Sequence, residues 1–370
     1  HTDSESRRML LLPILGYCRE TVFLQNETIH WDANIWYLER MRLPEHRVNP
    51  SSAFVTVSFI EITMPENRRY AQEFMKYQIG ITGQSVSTMV IKFGGIKQFL
   101  IWLCERKESA CSCSEEQIDR YLQEIQERGI IPKTFNEYVT GLSQFYHFMT
   151  VRGYMERMPF HPEYYIKKVI RRHHDRSVSP EICTELLGLL HLLPEHLRCM
   201  YLHLWCLGLR ISEVCTLKGN SYYKKDDETW IQLYQTKMKT YKRIPIAEGL
   251  YKIMQVYIRR NNIGPDEYLF KNKNGGACLT QTFRERMKKF CKEQGIAEGE
   301  YLFQTHDYRH TVATFFYESG ASLQSVRDYL GHSYQEMTEQ YIDYVPQKIA
   351  KANDEYFKQP GNNLAAGLRK

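Results

Sequence analysis

The chain has 370 residues, long enough for two or three domains, and 43% hydrophobic content supports packed cores and excludes a disordered polyelectrolyte. A formal charge of +6 permits contact with a polyanion without demanding it. Ten scattered cysteines, with the close pair Cys111 and Cys113 at the wrong spacing for a zinc knuckle, exclude a cysteine-built metal module and point to reduced thiols in the cytoplasm.

The first residue is His rather than Met, consistent with a trimmed or engineered start. "LLLPIL" is short and interrupted by Pro13, and no run approaches the roughly 20 apolar residues that span a bilayer, so neither a signal peptide nor a membrane anchor is expected. Within residues 1–62, "ETVFLQ" and the alternating "FVTVSFIEIT" read as strands, and "ANIWYLERMR" as a short helix.

From about Pro65 the pattern turns helical. "ENRRYAQEFMKYQIG", "VSTMVIKFGGIKQFLIWLCERK", "SEEQIDRYLQEIQERG" and "KTFNEYVTGLSQFYHFMTVRG" carry apolar residues at spacings of three and four, with Gly80, Gly129 and Gly153 where helices should stop. A bundle of about four helices over 63–160 is predicted.

Residues 161–176 form a charged connector ending in "KKVIRRHHDR". From Arg152 to Arg176 there are seven Lys or Arg against three acids, a run that is usually a solvated face but also suits a phosphate backbone. Lys167, Lys168, Arg171, Arg172 and Arg176 are its candidate DNA contacts. Ser179 and Pro180 then offer an N-cap and a first helical residue, opening a second domain over 177–357, with 358–370 as a flexible tail. That domain reads as helices around one strand pair, "TWIQLYQ" and "YKRIPIA". The expected fold is mainly α with a small antiparallel β-sheet.

Chemistry-bearing residues recur through this second domain. In "LGLRISEV", Arg210 and Glu213 stand three apart on one predicted helical face, at the end of an apolar helix where a guanidinium needs an anion to meet it. In "THDYRHTVATFF", His306 and Arg309 are similarly spaced. The His306–His310 spacing suits a metal, but no further carboxylate or histidine cluster completes a coordination sphere, so no metal is assigned. Two arginines and a histidine suit a phosphodiester, since the guanidinium fork binds nonbridging oxygens and stays protonated. Lys237 and Lys239 lie at the tip of the strand pair, with Lys242 and Arg243 just beyond as further candidate DNA contacts. Gly331 and His332 follow "SLQSVRDYL", and Tyr334, Tyr341 and Tyr344 lie downstream.

In order and approximate spacing, Arg210, Lys237, His306, Arg309, His332 and Tyr341 resemble the active-site set of the tyrosine recombinase (phage integrase) family. The resemblance covers residues 177–357, and the preceding bundle is similar to that family's helical core-binding domain; the family's spacing from Gly331-His332 selects Tyr341 among the three tyrosines. It implies a mixed α/β catalytic domain that cleaves and rejoins DNA through a 3′-phosphotyrosyl intermediate. Tyr341 would be the nucleophile, Arg210, Arg309 and His332 the phosphate ligands, His306 the proton acceptor, Lys237 the general acid and Glu213 a supporting residue. It implies no cofactor and double-stranded DNA as partner, bound by a homotetramer on two sites or a dimer on one, with an accessory recombinase or directionality factor as an optional companion and no membrane. Within the family, the extra N-terminal sixty residues favour an integrase or transposase of a mobile element, with residues 1–62 as an arm that contacts DNA or a partner protomer. The alternatives are a type IB topoisomerase-like enzyme, an inactive DNA-binding protein of the same fold and, more distantly, a metal phosphohydrolase.

Overall fold

The computed structural model describes residues 2–53, 55–170 and 176–331. The chain forms two compact units that divide at residues 171 and 172, and helix predominates at about 58%.

The first unit opens with helix α1 (Thr2–Gln25), followed by a two-stranded antiparallel ribbon, β1 (Ile35–Tyr37) with β2 (Thr56–Ser58). Its bundle comprises α2 (Pro65–Gly80), α3 (Val86–Glu105), α4 (Glu115–Glu127) and α5 (Pro132–Val151). The four predicted helices are these four. Ser85 caps α3 by accepting from the Thr88 N–H, and Ser114 and Gln117 form a capping box on α4. Gly129 and Gly153 adopt the left-handed conformation that closes α4 and α5. Helix α3 is long and apolar enough by composition to cross a bilayer, yet Phe93, Ile96, Phe99, Leu100 and Leu103 along it are core residues.

Two expectations for the N-terminal segment change. "ETVFLQ" is the last part of α1, not a strand; a segment with only three apolar residues, Val22, Phe23 and Leu24, is too short to fix a period, and the continuous 24-residue helix settles it. "ANIWYLERMR" is strand β1 followed by a short 3-10 turn at Leu38–Met41. Trp36 is fully buried, with its ring 4.8 Å from Phe59, which lies 5.3 Å from Phe93 of α3. This aromatic chain makes the β1–β2 ribbon part of the bundle's core, whereas α1 leaves Leu11, Leu12, Ile14 and Leu15 exposed.

The second unit runs through α6 (Pro180–Leu189), α7 (Glu195–Leu207) and the short α8 (Ile211–Cys215). Three antiparallel strands follow, β3 (Tyr222–Lys225), β4 (Glu228–Gln235) and β5 (Thr240–Pro245), in the order β3-β4-β5. Helices α9 (Glu248–Arg260), α10 (Thr280–Glu293), α11 (Asp307–Glu318) and α12 (Leu323–Leu330) complete it. Ser179 caps α6 by accepting from the Ile182 N–H, and Pro180 is its first helical residue. β4 and β5 are the predicted strand pair. β3 was not foreseen, since only Tyr222 of "YYKK" is buried and no alternation marks it. Apolar side chains from α7, β4, α9 and α10, among them Leu204, Ile231, Met254 and Phe283, form the core. The end of the second domain beyond residue 331 and the expected tail over 358–370 lie outside the described residues.

Candidate active site

The site begins where α7 stops. Gly208 takes φ +58°, and a Cβ there would stand 3.0 Å from the Val312 side chain, so glycine permits both the left-handed turn and the close approach of α11. The turn places Arg210 at the position preceding α8 rather than inside a helix, which corrects the expectation of one shared helical face. Glu213, in the first turn of α8, reaches back instead. Its carboxylate accepts from the Arg210 backbone N–H at 2.9 Å and from Arg210 Nη1 at 2.9 Å.

Arg309, on the first turn of α11, is 1% exposed. It donates through Nη1 to the Gly208 carbonyl at 3.0 Å and through Nη2 to the Leu330 carbonyl at the end of α12. A buried guanidinium requires such partners. The Glu213 carboxylate is also buried; burial alone would raise its proton affinity, but Arg309 and Arg210 more than offset this and hold its pKa below the usual value. Glu213 therefore stays ionised and fixes Arg210.

His306 immediately precedes α11. Burial first, then His310, Arg309, Arg176 and Arg210, push its imidazole down to about 3, so it is neutral and able to accept a proton. Arg176, expected among the connector's DNA contacts, instead donates to Gln304 Oε1 at 2.9 Å and pairs with Asp307 at 3.3 Å, next to His306.

The hairpin β4–β5 closes the site from another side. Residues 236–239 connect the strands, with the Gln235 carbonyl accepting from the Met238 and Lys239 N–H groups and Lys239 at φ 54°. Lys237 and Lys239 are exposed there, and Lys237 makes no hydrogen bond or ion pair with the arginine–carboxylate group among the described residues. Arg243 is exposed and donates to Gln232 at 2.7 Å. Lys242, expected to contact DNA, is turned inward: β5 alternates, and Lys242 shares its buried face with Ile244.

Two contributors escaped the sequence reading. Gln235 is 2% exposed and donates to Glu213 Oε1 at 3.0 Å. It also abuts Gly331, where φ is +67° and a Cβ would meet Gln235 Oε1 at 2.6 Å. Tyr329 donates its hydroxyl to the Leu207 carbonyl at 3.2 Å and presents its ring to Lys242. Of the remaining predicted residues, Lys167 lies in the first unit, with its ammonium 4.0 Å from the Phe135 ring centroid, and Lys168 is exposed there. Arg171, Arg172, His332 and Tyr341 lie outside the described residues. Among the described residues no group of three or more His, Cys, Asp or Glu side chains gathers as a metal site.

The structure thus unites Arg210, Glu213, Arg309 and, beside them, His306: a buried cationic patch whose single carboxylate is already committed, suited to a monoanionic tetrahedral ligand such as a phosphodiester. Residues 179–348, which carry this patch, match the phage integrase family. Over that stretch, a little under half of its length, the chain is similar to this family, that of the tyrosine recombinases. It is 29% identical over 323 residues to transposase B from transposon PsiTn554 of Staphylococcus aureus, across 84% of this chain and 51% of the transposase. It is 25% identical over 284 residues to a tyrosine recombinase of Pseudothermotoga lettingae, covering 76% of this chain and 95% of the relative. The chain spans about half the length of the transposase relatives it matches. Among solved structures, XerH recombinase bound to a palindromic difH substrate aligns with TM-score 0.60 at 15% identity, over 80% of this chain and 86% of that one. The Tn1549 transposon integrase in complex with transposon right end DNA aligns with TM-score 0.55 at 18% identity, over 77% and 98%. These two likenesses concern the fold.

Proposed function

We propose that the chain is a site-specific DNA recombinase of a mobile element that breaks and rejoins duplex DNA without a cofactor. The observation that carries this reading is the buried meeting of Arg210 and Arg309 around one committed carboxylate, in a chain whose relatives include a transposase and recombinases. The phenol of Tyr341 attacks the scissile phosphorus, passing its proton to neutral His306, while Arg210, Arg309 and His332 take up the charge that grows on the nonbridging oxygens. The bond to the 5′ oxygen breaks, and Lys237 at the hairpin tip protonates the departing alkoxide. A 3′-phosphotyrosyl linkage and a free 5′ hydroxyl result; attack by another 5′ hydroxyl reverses the step and restores the phosphodiester.

The partner is double-stranded DNA, met by the helical bundle over 63–160, the basic connector over 161–176 and the catalytic domain over 177–357. Four protomers on two sites exchange strands, and two occupy a single site. The cytoplasm is the setting. Phosphate contacts by Lys168, Arg171, Arg172, Lys239 and Arg243 position the duplex, so affinity falls steeply with salt.

The test is to incubate the protein, and separately Tyr341→Phe, with nicked duplexes tiled across the DNA flanking its own gene, and to score SDS-resistant adducts. Adducts on 3′ ends with the unmodified chain alone are expected. Adducts that persist in Tyr341→Phe would move the nucleophile to Tyr344 or Tyr334, and salt-sensitive binding with no adduct on any duplex would leave only a DNA-binding role.

A further inference from the structure

Lys242 is the residue of this site whose chemistry the reaction above does not use. It is 9% exposed on the inward face of β5, and its Nζ has no hydrogen-bond partner among the described residues. The ammonium sits 4.9 Å from the centroid of the Tyr329 ring, a cation–π distance. The charged groups that face it are Glu213 from α8, Arg210 just ahead of that helix and Arg309 from α11. No hydrogen bond joins it to Glu213, whose oxygens receive Arg210 Nη1, the Arg210 N–H and Gln235 Nε2. Burial, opposed by the attraction of Glu213 and reinforced by repulsion from Arg309 and then Arg210, pushes the amine down to about 7.

A buried amine without an acceptor is costly, and an aliphatic residue such as Ile244 on the same face would avoid that cost. The arrangement becomes favourable once an anion meets the two arginines, because the anion cancels the repulsion that they exert on the ammonium. We infer that Lys242 is a positioning residue of the phosphate site: a third, buried cation behind Arg210 and Arg309 that becomes fully charged when the scissile phosphodiester enters and holds Glu213 and both arginines in place through the reaction. This inference rests on the reading of the site as one that binds a scissile phosphate. The proton comes from solvent, and no covalent bond to Lys242 forms or breaks.

Lys242→Met keeps most of the stem and removes the charge. On a duplex that yields adduct with the unmodified chain, the variant should bind within about twofold of it, because the phosphate contacts that dominate affinity are elsewhere. Its single-turnover adduct rate should fall about ten- to a hundredfold, less than the loss of a direct oxyanion donor. The unmodified chain should also slow at alkaline pH as Lys242 loses its proton, and this limb should vanish in the variant. With an uncharged methylphosphonate at the scissile position, variant and unmodified chain should react alike. An unchanged rate and pH profile, or a penalty undiminished on methylphosphonate, would overturn the inference. Should Lys242→Met not fold, calorimetry in buffers of different ionisation enthalpy gives the proton uptake of the unmodified chain on phosphate and methylphosphonate duplexes. Smaller uptake with methylphosphonate is expected, and equal uptake counts against Lys242. Absence of adduct from the unmodified chain on every duplex is a separate result, which defeats the recombinase reading itself.

Discussion

Each unit buries an arginine, and the two are handled differently. Arg47 of the first unit donates to three backbone carbonyls, those of Gln84, Ile79 and Gln78 at 2.9, 2.8 and 3.2 Å, and lies against the Met89 sulfur, with no carboxylate bonded to it among the described residues. Its guanidinium acts as a staple that satisfies the end of α2 and the turn after it. Arg309 also meets carbonyls, but it shares its surroundings with Arg210, Glu213, Lys242 and His306. A buried cation matched by carbonyls alone has a structural explanation. A cluster in which cations outnumber the single carboxylate calls for an anion from outside.

The largest effect should come from exchanging the two arginines' fates. Arg309→Ala is expected to lower adduct formation by about 10²- to 10³-fold and to destabilise the second unit by about 3 kcal/mol, since Glu213 is left buried with one cation fewer. Arg47→Ala should cost a similar stability, about 3 kcal/mol by denaturant melts, while the adduct rate per folded molecule stays unchanged. A fall in that rate for Arg47→Ala would dissolve the contrast.

Next in size is Gly331→Ala. The left-handed φ and the 2.6 Å approach to Gln235 mean that the added methyl displaces Gln235 from Glu213. An adduct rate about tenfold lower, with a loss of about 1–2 kcal/mol in stability, is expected; a rate equal to that of the unmodified chain would show Gln235 to be dispensable.

A smaller effect lies in pH. The folded chain holds Lys242 at about 7 against 10.5 in the unfolded chain, so between those values the unfolded state binds the additional proton. Stability should therefore rise with pH across that window, and this rise should be absent in Lys242→Met. Denaturation midpoints measured at several pH values decide it; equal slopes would place the ammonium in solvent. The smallest effect is expected at Arg243, which is exposed: Arg243→Gln should leave stability within about 0.5 kcal/mol and reduce the salt slope of DNA binding by about one. Stronger destabilisation there would assign the side chain to the fold.

Much of this was legible in the sequence, and the exceptions share a cause. Helices α2 to α5 follow from apolar spacing and from glycines that stop them, and α6 from Ser179 and Pro180. The β4–β5 pair follows from alternation. The same alternation places Lys242 on the side of Ile244, but the preference of lysine for water masked that signal. The face on which Glu213 meets Arg210 was misread because Gly208 ends α7 before the arginine. Gln235 carried no local mark, since its role exists only once Gly331, distant in sequence, lies against it. His332 and Tyr341 rest on order and spacing alone.

The bond from Arg309 to the Leu330 carbonyl has a mechanical meaning. Leu330 is the last residue of α12, so the chain beyond it starts from a point moored to the buried Arg309 guanidinium. Nine residues lie between Gly331 and Tyr341, so their Cα atoms stand at most about 35 Å apart whatever the path. Inserting or deleting residues there would change that limit while leaving the mooring at Leu330 untouched.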